Sequence, residues 1–234
     1  MMNPKITLTL ALVASMGASH AATITWGSAT DVATGAGKSD DVSLVGSFHH
    51  AINGSLTAPA ANVTVNGVTF TGAEDRNAND DLWNAGDTDN SDADDAAYNT
   101  LLSSAYVDDP TDGTITVTLG DGSLLGGAAL VSGQQYAIQI WWVDDRTVSG
   151  LDARSMVYSD GGGSSVSLND QYAIGTFTAD GSTQTLVATT DGSYSRAHIT
   201  ALQVRNVTAA SVPEPSSVVL LGVGGIALVL RRKK

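Results

Sequence analysis

Apolar and polar residues alternate in short runs along most of the chain between Ile24 and Val207, the period of two that marks strands with one buried face. The clearest run covers residues 114–119, where Ile115, Val117 and Leu119 fall on one face and three threonines on the other. Val63 and Val65 are separated from Val68 and Phe70 by Asn66-Gly67, a tight hairpin-turn signal. Residues 136–143 are buried on one face and partly apolar on both. Residues 24–26, 42–48, 172–179, 184–190 and 198–207 complete a set of about nine strands. Turn signals such as Asp121-Gly122, Asp180-Gly181 and Asp191-Gly192 punctuate them. Many short strands at this spacing predict an all-β body, a β-sandwich or jelly roll.

One segment changes period. Tyr98, Leu101, Leu102 and Ala105 share a helical face, and Asp94 and Asp95 precede them where a helix N-terminus favours negative charge. One short helix packed on the sandwich is expected here.

The two ends follow neither pattern. Residues 1–21 hold Lys5, an apolar stretch over 6–16 and the small residues Ser19 and Ala21, the layout of a signal peptide cut by signal peptidase. The mature chain is expected to start near Ala22. The body then runs over 22–208 and a linker over 209–215. An uncharged segment at 216–230 precedes Arg231, Arg232, Lys233 and Lys234. Cations of this kind stay on the cytoplasmic side, which puts the body across the membrane. As a helix the segment would be roughly 22 Å long against a hydrocarbon core of about 30 Å. Snorkelling arginines close part of that gap. A single, short transmembrane helix suits a transient anchor in the inner membrane.

Val212, Pro213, Glu214 and Pro215, the hydrophobic run and the four terminal cations together resemble the PEP-CTERM sorting signal. The resemblance covers about 23 residues and implies a substrate of exosortase, a membrane-embedded transpeptidase-like enzyme. It implies removal of the tail near the Pro-Glu-Pro and delivery to the cell envelope, cell surface or extracellular matrix. Residues 133–146, with 155–160 and 175–181, are similar to galactose-binding-like jelly rolls of secreted proteins. That likeness lies in strand texture, with no signature residue.

Charge narrows the partners. The body holds six basic and 23 acidic residues, a net of −17. Such a surface repels phosphate backbones, so nucleic acid is excluded as an expected partner. With no cysteine, neither a disulfide framework nor a thiolate metal site is available.

Two candidate sites remain. Asp87, Asp89 and Asp92 supply oxygen ligands at nearby positions of one acidic stretch, as Ca²⁺ requires. The EF-hand pattern fails, because its sixth and twelfth positions are Asp92 and Tyr98 rather than Gly and Glu. A solvated acidic loop that holds no ion fits the same residues. Trp141 and Trp142 are adjacent on one strand, so they point to opposite faces and one leaves the main core. That ring is either covered by the helix or a loop, or stacks on a sugar ring with Arg146 beside it. His49-His50 reads as edge histidines, because adjacent strand residues diverge.

Catalytic motifs are lacking: no Gly-x-Ser-x-Gly elbow, His-Glu-x-x-His helix or P-loop occurs. The expectation is a non-enzymatic structural or carbohydrate-interacting protein, exported and in contact with extracellular polysaccharide. No cofactor is expected except, as the acidic stretch allows, Ca²⁺. The alternatives are a carbohydrate-active enzyme using Asp carboxylates and a Ca²⁺-binding adhesin.

Overall fold

A computed structural model describes residues 22–55, 61–74, 92–107, 113–144, 154–190 and 196–209. The strands are β1 (Thr25–Trp26), β2 (Thr30–Asp31), β3 (Ser47–Ser55), β4 (Val63–Val65), β5 (Val68–Glu74), β6 (Tyr106–Val107) and β7 (Thr114–Leu119). They continue as β8 (Gln135–Trp142), β9 (Met156–Ser159), β10 (Ser165–Leu168), β11 (Gln171–Thr178), β12 (Gln184–Thr190), β13 (His198–Ile199) and β14 (Ala201–Asn206). A 3₁₀ turn covers Lys38–Asp41 and one helix, α1, covers Ala93–Leu102.

The main sheet has the order β1-β11-β8-β14-β3-β5-β4, with β2 also on β11. A four-stranded sheet, β10-β9-β12-β7, faces it. Ile115, Val117 and Leu119 of β7, Tyr158 of β9 and Leu186 of β12 meet Ile138, Ile140 and Trp142 of β8 in the principal core. The predicted alternation of β7 is therefore what fills the space between the sheets. A second core lies on the opposite face of the main sheet, where Tyr98, Leu101 and Leu102 of α1 and Val65 and Phe70 cover Trp141. The body is a sandwich with a third, partial layer made by the helix and the β4–β5 hairpin.

The hairpin forms as its sequence dictates: Asn66 and Gly67 take φ of 49° and 74°, the paired positive values of a type I′ turn. Three expectations change. Residues 42–46 are a loop, and the strand there starts at Ser47 and continues to Ser55. β3 pairs with β5 in parallel, which breaks the all-antiparallel pattern of a jelly roll. The described strands number fourteen rather than about nine, and four of the fourteen are two-residue pieces. Gly54 explains how β3 passes so close to β6: a Cβ there would fall on the backbone of Ala105 and Tyr106.

Among the described residues no helix is long and apolar enough to cross a membrane. The expected signal peptide at 1–21 and membrane segment at 216–230 lie outside the described residues.

Candidate functional site

The two tryptophans do point to opposite faces, and both are fully buried. Trp142 stands in the principal core, where its Nε1–H donates to the Arg154 carbonyl at 3.0 Å. Trp141 stands in the second core under α1, edge-on to Phe70, and its Nε1–H donates to the Tyr98 hydroxyl at 3.1 Å. The sugar-stacking expectation is thereby corrected. A ring with no accessible face cannot stack on a ligand, and the covering helix is the physical reason. Arg146, the third member of that candidate site, lies outside the described residues.

Polar groups tie the covering layer down. Asp95, buried on α1, accepts from the backbone N–H groups of Gly37 (2.9 Å) and Ser39 (3.0 Å). The Tyr98 hydroxyl donates to Asp41 at 3.0 Å, and the Ala33 amide donates to the same oxygen at 2.8 Å. Burial raises the Asp41 pKa above 3.8, and these two hydrogen bonds oppose the rise. Burial also pushes the Tyr98 hydroxyl well up, so it serves as a neutral donor.

Next to this network, Gln139 and Gln203 pair across β8 and β14 at 2.6 Å. They bind Asp41 O (2.6 Å), Ser43 N (3.0 Å) and Ser43 O (3.0 Å). Arg205 extends the row, donating to the carbonyls of Leu44 (3.2 Å), Val45 (3.0 Å) and Gly46 (2.8 Å). Residues 41–46 are thus clamped to the sheet by three side chains.

Of the calcium candidates, Asp92 is the N-cap of α1, and its carboxylate accepts from the Asp95 amide at 2.8 Å. Asp87 and Asp89 lie outside the described residues. Among those described, no group of three or more His, Cys, Asp or Glu is placed to hold a metal. Other acids act as staples. Asp160 accepts from the amides of Ile24 (3.1 Å), Gly162 (2.7 Å) and Ser164 (3.3 Å), which fixes the first strand to the β9–β10 turn. Asp144 and Arg154 form a buried ion pair at 2.9 Å.

The histidines hold a feature that alternation alone could not show. Val204 pairs with His50 and Arg205 with Phe48, so His49 is the extra residue of a β-bulge. His49 Nε2 lies 3.0 Å from Ala128 O, and His50 packs beneath Gly127. Both rings therefore meet the β7–β8 loop instead of diverging. Burial lowers the His50 pKa. A shallow open groove of about 300 Å³ lies at the same end of the molecule, lined by Ala22, Thr23, Thr25, Gln135 and residues 176–178 of β11.

Beyond the last described strand, residues 211–233 match the family model for the PEP-CTERM protein-sorting motif. The chain carries a PEP-CTERM sorting signal. The match spans the Val212-Pro213-Glu214-Pro215 element, the hydrophobic run and Arg231, Arg232 and Lys233; Lys234 follows it directly. The PEP-CTERM motif marks the protein as exported, recognised by exosortase during export and bound for the cell envelope or surface. No curated protein and no solved structure matches the chain.

Proposed function

We propose that the body of this PEP-CTERM protein is a non-enzymatic structural module of the cell surface or extracellular matrix. The observation behind this reading is that, among the described residues, both candidate tryptophans and several of the carboxylates are engaged in holding the fold. Trp141, Trp142, Asp92, Asp95 and Asp160 each have an internal partner. An acidic, stapled sandwich suits a displayed spacer that stays soluble and resists nonspecific adsorption. Any interaction with extracellular polysaccharide would run through the acidic surface or the loops rather than through a tryptophan platform.

The test is expression of the full chain in an exosortase-bearing host, followed by fractionation of cells, matrix and medium and by incubation with a panel of polysaccharides. The protein is expected in the surface or matrix fraction, with every polysaccharide left intact. Polysaccharide turnover abolished by a single Asp→Asn substitution would overturn the structural reading in favour of the enzymatic one.

A further inference from the structure

Five large apolar side chains stand well exposed among the described residues: Leu44, Val45, Phe48, Leu124 and Val131. They are scattered in sequence, yet the topology gathers them at one end of the sandwich. Leu44 and Val45 precede β3, and Phe48 is its second residue, paired with Arg205. Leu124 and Val131 belong to the loop that joins the end of β7 to the start of β8. Val131 N donates to Tyr136 Oη at 3.0 Å, at the first turn of β8. At this same end β14 finishes, with Asn206 opposite Ser47 and Tyr136.

The first and last described residues of the body lie at this end too. Gln135 N donates to Thr208 Oγ1 at 2.7 Å, and Ala22 lines a groove with Gln135 and Phe177. The matched sorting motif starts at residue 211, two positions beyond Ala209. From Asn206 to the hydrophobic run at Ser216 is ten residues, at most about 35 Å of extended chain. A tail embedded in lipid therefore holds this end, and no other, within a short tether of the bilayer.

We propose that this apolar end is a membrane-docking surface: Leu44, Val45, Phe48 and Val131 enter the headgroup layer of the bilayer that holds the sorting tail. The side chains are presented by a built support. Arg205 takes up the carbonyls of Leu44, Val45 and Gly46, which leaves the Leu44 and Val45 side chains turned outward on a fixed loop. Each contact is weak alone, but the tether converts docking into an intramolecular event with a high effective concentration. The exposed acids Asp121 and Asp180 flank the patch. Hydrogen bonds from Ser123 hold the Asp121 carboxyl below its ordinary pKa, so it is charged at neutral pH. The surface thus suits zwitterionic lipid better than anionic lipid. Docking would hold the Pro-Glu-Pro segment at the membrane surface, within reach of a membrane-embedded enzyme.

The chain has no cysteine, so one introduced thiol carries one probe. The full chain with Val45→Cys, labelled with a polarity-sensitive fluorophore, is reconstituted into phosphatidylcholine vesicles. Thr30→Cys, at the opposite end of β11, is the reference. Flotation reports tail insertion separately. The expected result is a blue shift and loss of emission with brominated phosphatidylcholine at position 45, with neither change at position 30. Both signals should weaken in phosphatidylglycerol vesicles. They should vanish in a Leu44→Ser/Phe48→Ser variant that still floats. Flotation without a shift at position 45 overturns docking and leaves the sorting reading intact. Failure to float removes the tether and overturns it as well. A shift at position 45 without lipid assigns the patch to a second copy if it depends on protein concentration, or to the chain's own tail if it does not; either overturns the proposal.

Discussion

Tyr98→Phe removes one oxygen from the layer that covers Trp141, and its cost can be worked from the geometry. The hydroxyl accepts from Trp141 Nε1–H at 3.1 Å and donates to Asp41 at 3.0 Å. Trp141 is fully buried, so its N–H has no water to turn to. An unsatisfied buried donor costs about 1–3 kcal/mol. The lost donor to a partly buried carboxylate adds about 1 kcal/mol. A total of about 2–4 kcal/mol is expected, a fall in Tm of roughly 4–16 °C for a body of this size. Urea denaturation followed by tryptophan fluorescence measures it. A double-mutant cycle isolates the pair: in a Trp141→Phe background the indole donor is gone, and Tyr98→Phe should cost about 1 kcal/mol less. Additivity within about 0.5 kcal/mol would refute the idea that the hydroxyl and the indole depend on each other.

Three further outcomes follow from other polar contacts of the fold. Because burial raises the folded pKa of Asp41, its contribution to stability is fully present below 3.8 and is lost as pH rises through the folded value. Asp41→Asn should flatten that part of the stability–pH curve and make the variant relatively more stable at pH 7, as read by melting across pH. Asp160→Ala leaves three backbone amides without their acceptor and should cost about 3 kcal/mol, with faster hydrogen exchange at Ile24 as the local readout. Arg154→Met removes the ion-pair partner of the buried Asp144 carboxylate and should cost about 3–5 kcal/mol in denaturant unfolding, with partial recovery when Asp144→Asn is added.

Strands with one buried face were legible from the sequence, because a period of two is a local signal. β7, β12 and the Asn66-Gly67 hairpin appear where the alternation put them. β3 was misplaced because it is central and bulged, so Ala51, Ile52 and Asn53 are buried in succession and no alternation survives. The helix was legible, although Ala105, expected on its face, lies beyond its end at Leu102; what it covers was not legible. Its docking depends on Asp95 reaching the amides of Gly37 and Ser39, more than fifty positions away. That long-range contact decides whether Trp141 is a platform or a core residue. The opposite orientations of Trp141 and Trp142 follow from the pleat alone, whereas their burial is a property of the third layer. The sorting tail was readable without any fold, because an ordered series of motif, apolar run and cations is itself the signal.

β14 lies between β8 and β3, hydrogen-bonded along both edges, and its last residue leads straight toward the tail. Tension applied through the C-terminal end of the body would run lengthwise along a central strand. Extracting that strand means shearing two ladders at once, whereas an edge strand would peel from one side a bond at a time. A body held by its C-terminal strand would yield late under load, with the loaded strand among its mechanically strongest elements.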